Sequence, residues 1–453
     1  MSPVTTQLLA LVPDLAAMSF PSCGPRTTNG FCTSNRLGCL PIVSRRADED
    51  ISVTYDALII GGGPAGATAG LLLAKAGWSV AIVEKKSFPR HKVCGEFLSA
   101  TSLPLLHELG LGEAFSDRAG PEVRRVGLFT NDLALTAPMP QPPLTSCHWG
   151  KALGREQLDL LLLDAAARAG AILWQPWSAV RLQRRSRGHV CTIVAKEGRH
   201  ELGSRVVIVA NGSWERTAFT ASNARAHRPS DLLAFKAHFK ESELPADLMP
   251  LIAFPGGYGG MVHSDGGRTS LSCCIRRDEL QRCRQRYPNP QAGHSVCQNI
   301  QASCDAVREM LKRAVLDGAW LSAGPIRPGI RKGYSDGIFF AGNAAGEAHP
   351  IVAEGISMAM QSAWLLAQCL IAHQMNLASE SEEIGIEYCA KWKACFAARL
   401  HAAAIFAHLA LRPKLSSIGL PILRHFPTIL TFGAHLSGKA NSLTKMHAQY
   451  DAI

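Results

Sequence analysis

A strand–loop–helix–strand unit near the start of the chain constrains the fold more than any other feature. Residues 55–60 form an apolar run typical of a buried parallel strand, and they lead directly into GGGPAGATAG, residues 61–70. A helical pattern follows over residues 67–76, and a second apolar strand, residues 79–83, ends at Glu84. These parts occur in the order of a βαβ unit, which predicts a parallel sheet at the core.

The glycines of this loop have separate mechanical roles. Gly61 allows a tight turn, Gly63 lets the backbone approach a pyrophosphate, and Gly66 lets the helix pack closely on the strand. The N-terminus of the helix offers free N–H groups to phosphate oxygens. Glu84 lies 18 residues after Gly66, where a carboxylate would accept hydrogen bonds from ribose hydroxyls. The complete unit predicts a dinucleotide site, although an isolated G-x-G-x-x-G would be weak evidence.

Composition places the chain among ordinary globular proteins. It has 453 residues, of which 47% are hydrophobic and 18% charged, enough for two interleaved domains. The formal net charge of +11 is compatible with nucleic acid, an anionic membrane surface, or an anionic cofactor or substrate. Because the basic residues are scattered, we expect no nucleic-acid partner.

The cysteine pattern favours a reducing compartment. The 14 cysteines include no C-x-x-C pair, and the adjacent Cys273 and Cys274 would point to opposite faces of a strand. We expect free thiols that pack as small apolar groups in a cytoplasmic protein without a metal site. No run of 18 apolar residues occurs, so the sequence predicts no transmembrane helix.

The first 50 residues differ from the rest. They are rich in Ser, Thr, Pro, Gly and Arg, and they contain no acidic residue between Asp14 and Asp48. The short apolar stretch at residues 8–15 is broken by Pro13 and lacks a preceding basic region, which argues against a secretory signal. We expect a disordered leader, with an organellar transit peptide or a misplaced start codon as alternatives.

Four further segments resemble motifs of one enzyme superfamily. Residues 88–99, FPRHKVCGEFLS, are similar to the P-R-x-K-x-C-G segment of geranylgeranyl reductase-like proteins, and residues 154–159 resemble an R-x-x-L-D helix start. Residues 206–216 are similar to an A-D-G-x-x-S segment, and residues 337–355 to a G-D-A-A…P…G-x-G segment. Their order resembles that of the FAD-dependent superfamily of aromatic hydroxylases, geranylgeranyl reductase-like enzymes and flavin-dependent halogenases.

This resemblance implies that the chain binds FAD. It places Arg155 on the pyrophosphate, where an Arg fork is suited to the phosphate oxygens, and the last segment on the ribityl chain and flavin ring. The helix after Gly355 would point its positive end at the flavin pyrimidine ring. Together with the glycine loop, the FAD-binding residues predicted are Gly61, Gly63, Pro64, Ala65, Gly66, Glu84, Lys85, Arg90, Cys94, Gly95, Arg155, Asn211, Gly212, Gly342, Asn343, Pro350, Gly355 and Ile356.

Two of these positions depart from the family pattern. Asn211 and Asn343 stand where the superfamily usually has Asp. If the resemblance holds, an Asn at position 343 can still form a hydrogen bond with a ribityl hydroxyl, but it brings no charge. The cofactor-binding prediction is therefore retained with a changed electrostatic contribution at both positions.

The middle of the chain predicts a second, antiparallel sheet. Apolar runs separated by Pro and Gly turns occupy residues 232–239, 251–254, 258–262 and 269–275. An amphipathic helix is expected over residues 288–320. The predicted fold is α/β: a Rossmann-like FAD-binding domain with a parallel sheet, interleaved with an antiparallel β-sheet substrate domain and followed by a helical C-terminal region. The predicted divisions are residues 1–50 (leader), 51–230 and 321–376 (FAD-binding domain), 231–320 (substrate domain) and 377–453 (C-terminal region).

One motif in the substrate domain is only half conserved relative to the reductase-like pattern. Those enzymes carry P-G-G-Y-x-W-x-F-P, whereas residues 255–263 read PGGYGGMVH. Gly260 replaces the Trp, Val262 the Phe and His263 the Pro, which argues against prenyl reduction. The halogenase signature W-x-W-x-I-P is absent from the sequence, which argues against halogenation.

His263, Cys94 and Glu96 are the candidate catalytic residues. A His in a cavity titrates near neutrality and could serve as acid or base, although His263 could equally be a loop residue. The resemblance places Cys94 and Glu96 near the isoalloxazine, with simple packing as the alternative for Cys94. Arg327 and Arg331 precede the ribityl-binding segment and could anchor an anionic group or remain solvated.

We interpret the chain as an FAD-dependent oxidoreductase, with the redox step belonging to the cofactor. The leading hypothesis is an NAD(P)H- and O2-dependent monooxygenase for an aromatic or polyketide-like small molecule of secondary metabolism. NAD(P)H would bind transiently, because the chain lacks a second complete G-x-G-x-x-G unit. A reductase of a carbon–carbon double bond is the close alternative, and a non-catalytic flavin protein is a third.

The tail, residues 377–453, is largely helical in pattern. Residues 396–411 are apolar with few charges, and residues 420–432 are interrupted by Pro421 and Pro427. Packing against the substrate domain is the simpler interpretation. Partial insertion into a membrane surface is the alternative, because basic residues flank the apolar runs.

Overall fold

The computed structural model describes residues 53–131, 133–141, 149–186, 188–213, 227–375, 377, 380–412 and 424–439. All of them belong to one compact unit, Asp50–Ile453. The predicted leader, residues 1–50, lies outside the described residues.

The strands, in chain order, are β1 Val53–Ile60, β2 Val80–Val83, β3 Phe97–Leu98, β4 Arg125–Thr130, β5 Leu133–Pro138, β6 Lys151–Ala152, β7 Ile172–Trp174, β8 Ser178–Arg185, β9 Gly188–Ala195, β10 Gly198–Val209, β11 Leu232–Lys240, β12 Leu248–Phe254, β13 Gly257–His263, β14 Thr269–Arg276, β15 Val315–Ile326, β16 Gly329–Ile330, β17 Tyr334–Ser335, β18 Ile338–Phe340 and β19 Gly346–Glu347. The helices are α1 Pro64–Lys75, α2 Leu103–Glu108, α3 Gly112–Arg118, α4 Arg155–Arg168, α5 Arg277–Arg286, α6 Ala292–Ser303, α7 Asp305–Met310, α8 Gly355–Ala372, α9 Ser381–Ala410 and α10 Thr428–Ala434.

A mostly parallel sheet carries the glycine loop. Its strand order is β17-β18-β10-β1-β2-β7, with β18, β10, β1, β2 and β7 parallel and with β9 and β8 added as an antiparallel extension of β10. The carboxyl ends of parallel strands meet at one edge of a sheet. The loops after Ile60, Val83, Val209 and Phe340 therefore open on the same side, which brings four of the five predicted cofactor segments together.

Helix α1 packs against this sheet and against α4 and α8. Its approach is close because of glycine: a Cβ at Gly66 would lie 1.8 Å from the carbonyl oxygen of Gly61. Strands β1 and β2 are buried on both faces, as continuous apolar runs in a covered parallel sheet should be. The predicted βαβ unit is confirmed.

An antiparallel sheet forms the second layer. Its order is β15-β11-β14-β13-β12-β4-β5, and β12 and β4 are its parallel pair. Strands β4 and β5 precede β10 in the sequence, whereas the other five strands of this sheet follow β10. Cys273 and Cys274 belong to apolar clusters on opposite faces of β14, as their adjacency predicts. The predicted α/β fold with two interleaved sheets is confirmed.

The helix expected over residues 288–320 is wrong in extent. The segment forms α6 and α7, and from Val315 onward it is strand β15, which pairs with β11 from Leu232 to Lys240. Pairing between strands about 80 residues apart is a tertiary contact, and local periodicity does not report it.

The C-terminal region is helical in its described parts. Helix α9 has 30 residues and packs against α8, and α10 packs against β4 and β5. Helix α8 is long and apolar enough to span a membrane by length and composition. However, 78% of its apolar window is buried inside the protein, as expected for a core helix. The cytoplasmic location stays a prediction.

Candidate active site

A deep cavity lies between the two sheets, at the carboxyl edge of the parallel one. Most of the predicted FAD-binding residues line it: Gly61, Gly63, Pro64, Ala65, Glu84, Lys85, Arg90, Cys94, Gly95, Arg155, Asn211, Gly212, Asn343, Pro350, Gly355 and Ile356. Gly66 and Gly342 lie behind this lining, where they allow close packing. A Cβ at Gly342 would be 2.8 Å from Ala65 Cβ, and Gly342 has a φ of 61°.

Cations gather over the glycine loop. A Cβ placed on Gly63 would meet Arg155 Nη2 and Arg90 Nη2, each at 3.7 Å, and no closer described atom. Asp159 holds Arg155 from the next turn of α4, with Nε–Oδ1 and Nη2–Oδ2 distances of 2.7 Å. Arg90 Nε is buried without a hydrogen-bond partner among the described residues. The loop and these guanidinium groups form a site for an anionic group such as a pyrophosphate.

Lys92 extends this cluster toward Gly212. Its Nζ lies 3.7 Å from the position of a Cβ on Gly212, and it lines the cavity. Burial, and then the charges of Arg155 and Arg90, lower the pKa of Lys92 to about 8. A bound anion would favour the protonated form of Lys92, so we expect Lys92 to become more fully protonated when an anion binds.

Glu84 occupies the end of β2, as the βαβ pattern requires. Its carboxylate is buried and accepts hydrogen bonds from the backbone N–H of Gly62 and of Lys86, both at 2.9 Å. Arg90 Nη2 lies 3.4 Å away. The fixed carboxylate faces the cavity where a ribose would lie.

A polar cluster formed by Ser213, Asn343 and Glu347 lies in the cavity wall. Asn343 Nδ2 donates to Ser213 Oγ at 2.9 Å and lies 3.3 Å from Glu347 Oε1. Ser213 Oγ donates to the same carboxylate at 2.7 Å, and Arg331 Nη2 pairs with Glu347 Oε2 at 2.9 Å. Position 343 is usually Asp in the family, and here Glu347 supplies a carboxylate close to it. An Asn at position 343 fits beside that carboxylate because its amide N–H group can donate a hydrogen bond to it. Arg331 is used inside this cluster, and it also donates to the Arg327 carbonyl at 2.8 Å.

The start of α8 forms the wall beyond this cluster. Gly355 and Ile356 line the cavity, and a Cβ on Gly355 would meet no atom of the described residues within 4 Å. Ala353, just before the helix, has a φ of 52°, a strained value for a residue with a side chain. Lys439 Nζ holds the buried Glu354 carboxylate at 2.7 Å, so the C-terminal region is fastened to this wall.

Glu96 is the centre of a buried charge cluster that sequence reasoning found only in part. Its carboxylate contacts Lys236 Nζ, and Oε2 lies 2.9 Å from His238 Nε2. All three side chains are buried. Burial raises the pKa of Glu96, but the hydrogen bond to His238 and the charge of Lys236 outweigh it and hold the pKa at about 2. Lys236 and His238 alternate along β11, and two polar residues on one face of an apolar strand are the signal that marks them.

Tyr258 and His349 form a second polar pair inside the cavity. Tyr258 OH lies 3.3 Å from His349 Nδ1, and both residues line the cavity. Burial raises the pKa of Tyr258 well above its usual value and lowers the pKa of His349. The pair therefore presents a neutral phenol and a neutral imidazole near neutral pH, which suits proton transfer to or from a ligand.

The candidate catalytic residues separate in space. Cys94 and Glu96 line the cavity, and Cys94 also accepts a hydrogen bond from Ser272 Oγ at its carbonyl oxygen, at 2.9 Å. His263 lies at the end of β13, outside the lining, with its Nε2 2.7 Å from the Leu244 carbonyl oxygen. Its Nδ1 lies 3.2 Å from Thr269 Oγ1, so both ring nitrogens are engaged, one by the loop before β12 and the other by β14.

The residues present fit FAD. Gly63, Gly95 and Gly355 expose bare backbone to the cavity, and within the part of the chain that the structure describes, a Cβ added at Gly95 or Gly355 would meet no atom within 4 Å. Cations stand at the glycine loop, and a carboxylate stands at the end of β2. The protein matches the family model described as FAD binding domain over residues 54–382. The chain belongs to this FAD-binding family. It is an FAD-dependent oxidoreductase by class.

Individual relatives share shorter or weaker similarity. A menaquinone reductase of Mycobacterium tuberculosis is 32% identical over 158 residues, covering 35% of this chain and 38% of the relative. The match thus spans less than half the length of that relative. Digeranylgeranylglycerophospholipid reductase 1 of Methanothermobacter thermautotrophicus is 26% identical over 326 residues, covering 70% of this chain and 77% of the relative.

Solved structures share the fold. The myxobacterial FAD-dependent halogenase CndH superposes with a TM-score of 0.70 at 17% sequence identity, covering 88% of this chain and 96% of CndH. An identity this low carries the architecture and not the activity.

Proposed function

We propose that the protein is an NAD(P)H- and O2-dependent monooxygenase that hydroxylates an aromatic or polyketide-like small molecule. The observation that carries the proposal is the composition of one cavity wall. Tyr258, Gly260 and Val262 share a face of β13 because side chains alternate along a strand, and all three line the cavity. Gly260 and Val262 stand at the two positions where the reductase-like pattern has Trp and Phe. A wall without these rings leaves room for a planar substrate.

FAD, when bound, supplies the redox chemistry: two electrons from NAD(P)H reduce dioxygen, one oxygen atom enters a substrate C–H bond, and the other leaves as water. The protein contributes binding, orientation and proton placement. Arg90, Lys92 and Arg155 neutralise the phosphate end, and the start of α8 directs its positive end into the cavity.

Tyr258 and His349 support a phenolic or enolic substrate in particular. A hydroxyl of such a substrate can form a hydrogen bond with Tyr258 OH. The neutral His349 can then accept a proton that is relayed from the substrate through the Tyr258 hydroxyl. The apolar remainder of this wall, including Met249, Leu251 and Ile351, excludes water from the reacting atoms.

The test is isotopic. Purified, flavin-loaded protein is supplied with NADPH or NADH, isotope-labelled dioxygen and a panel of phenolic and polyketide-like aromatics. The proposal expects one labelled oxygen atom in a hydroxylated product, with one nicotinamide oxidised per product formed. NAD(P)H oxidation that yields only peroxide with every aromatic offered would count against it.

A reductase of a carbon–carbon double bond is the second candidate. Arg90, Lys92, Cys94 and Gly95 of the P-R-x-K-x-C-G segment line the cavity, as does Tyr258 of the P-G-G-Y segment. The relatives described above are named as reductases. This candidate expects anaerobic, stoichiometric consumption of NAD(P)H with saturation of an alkene. Turnover that needs dioxygen would exclude it.

A further inference from the structure

The C-terminal part of the chain is free of acidic residues over an unusual length. From Tyr388 to Tyr450 the sequence has no Asp and no Glu, but it has eight Lys and Arg residues. Eight of the protein's net eleven positive charges therefore fall within 63 of its 453 residues. A charge bias of this kind is a statement about partners, because folding alone does not require it.

The described part of this stretch also exposes large apolar side chains. On α9, Ile405 and Leu409 are one turn apart and 59% and 44% exposed. In and around α10, Phe426, Ile429, Phe432 and Leu436 recur at helical spacing, and Phe432 is 62% exposed. We call these six residues the C-terminal surface. Six of the twelve large hydrophobic residues that are exposed in the described structure belong to it.

The two groups of side chains are neighbours. Phe406 Cζ on α9 lies 3.5 Å from the position of a Cβ on Gly433, beside Phe432 on α10. Arg412 and Arg424 are exposed at the ends of the two groups. Apolar side chains with cations at their border have the composition of a segment that lies in the interface of an anionic membrane.

The surface is also connected to the cavity. Helix α10 is followed within five residues by Lys439, whose Nζ lies 2.7 Å from Glu354 Oε1 and from the Val352 carbonyl oxygen. These two residues stand at the start of α8, next to the lining residues Ala353 and Gly355. A contact made by α10 is therefore joined to the cavity wall by a buried ion pair.

We propose that the C-terminal surface docks the protein on the anionic surface of a lipid bilayer. The six apolar side chains enter the headgroup region, and Arg412 and Arg424 pair with lipid phosphates. The proposal concerns binding and does not depend on which reaction the flavin performs.

The experiment is vesicle flotation of the full-length, flavin-loaded protein. The probes are phosphatidylcholine vesicles and phosphatidylcholine vesicles that contain phosphatidylglycerol. We expect binding to the anionic vesicles, which weakens with added salt because screening reduces the attraction of exposed charges. The double variant Ile429→Ser, Phe432→Ser should bind about tenfold or more weakly, since two large apolar groups are lost.

The matched control is Ile386→Ser, which removes an apolar side chain that is 63% exposed at the other end of α9. Its binding should equal that of the wild type. Flavin content and the unfolding midpoint of each variant establish that the fold is intact. Binding equal to wild type in the double variant, or no preference for anionic vesicles, would overturn the proposal. So would light scattering that shows a wild-type dimer converted to a monomer by the double variant, since a second copy would then cover the surface.

Discussion

Glu96 Oε2 lies 2.9 Å from His238 Nε2, although the two residues are 142 positions apart and belong to different layers of the fold. Glu96 lies within the segment of residues 88–99, which comes after β2 of the parallel sheet, and His238 lies on β11 of the antiparallel sheet. Glu96 has a φ of 64°, so its backbone is held in a left-handed conformation that few side chains favour. The contact fixes the segment of residues 88–99 against the substrate-side sheet.

Glu96→Gln should destabilise the protein strongly. It leaves Lys236 as a buried charge without its carboxylate, which costs about 3–5 kcal/mol in comparable buried pairs. The measurement is urea unfolding at neutral pH. Adding Lys236→Met to the variant should recover part of the loss, because the unpaired charge is then removed.

Glu243→Gln is the matched surface control, since Glu243 pairs with the exposed Arg313. Its effect should stay below about 1 kcal/mol. Equal losses from Glu96→Gln and Glu243→Gln would show that the buried cluster has no special role.

The same cluster predicts a dependence of stability on pH. The pKa of Glu96 is lowered from a usual value of 4.5 to about 2 in the folded protein. A lowered carboxylate pKa adds stability that is fully present above pH 4.5 and is lost as the pH falls toward 2. The loss amounts to roughly 3 kcal/mol at most. The free energy of unfolding should therefore change less with pH between 4.5 and 2 in the Glu96→Gln, Lys236→Met double variant than in the wild type. Equal pH dependence in the two proteins would contradict the role given to Glu96.

Gly63→Val should remove FAD without harming the fold. Gly63 has a φ of −76°, which any residue can adopt, and its added side chain would enter the cavity toward Arg90 and Arg155. Hydrogen bonds from N–H groups to a charged phosphate are worth about 1.5–3 kcal/mol each, so losing the close approach should weaken FAD binding about a hundredfold or more. The FAD bound by the variant is measured by flavin absorbance after reconstitution.

Gly66→Val is the contrasting variant. Its Cβ would lie 1.8 Å from a backbone oxygen, so we expect it to lower the stability of the apoprotein by about 1–3 kcal/mol or more. A Gly63→Val protein that keeps its flavin would refute the role given to the loop.

The sequence was informative where local pattern and chemistry coincide. The glycine loop and Glu84 could be predicted because each stands at a fixed distance from a strand or helix end, whereas Arg155 was predicted from the resemblance of residues 154–159 to a family motif. Glu347 could not, because its importance arises from the chain returning to place it beside Asn343 and Ser213. His263 shows the converse: its position in a motif that matches only in part suggested chemistry, but it lies outside the cavity lining and its ring contacts the Leu244 carbonyl oxygen and Thr269 Oγ1 instead.

Lys92 predicts that FAD affinity depends on pH. Because its pKa in the free protein is about 8, the anionic cofactor must supply the interaction that keeps it protonated above that pH. Affinity should be full below pH 8 and should fall as the pH rises through it, by at most about tenfold per pH unit for one proton. Quenching of flavin fluorescence measures the dissociation constant. Lys92→Arg should keep tight binding at high pH, and an unchanged pH profile in that variant would contradict the role of Lys92.

Asn343→Asp restores the residue that is usual in the family, and we expect it to be harmful here. The new carboxylate would stand where Asn343 Nδ2 is now 3.3 Å from Glu347 Oε1, so a favourable contact becomes a repulsion. The cost should be about 1–3 kcal/mol of stability. Adding Glu347→Gln should remove this repulsion and restore part of the lost stability. The measurement is thermal unfolding of the single and the double variant. A single variant as stable as the wild type would show that the two positions do not interact.

Tyr258→Phe should slow turnover while leaving FAD bound. The change removes one hydroxyl from the cavity wall, and proton transfer by a positioned side chain contributes roughly a hundredfold or more to rate. Flavin reduction by NAD(P)H should be unaffected, because no proton from Tyr258 is needed there. The pH profile separates a chemical role from a packing role. Burial lowers the pKa of His349 below 6.5, so wild-type turnover should decline only as the pH falls below that value. If this acid limb persists unchanged in His349→Gln, His349 is not the group that accepts the proton.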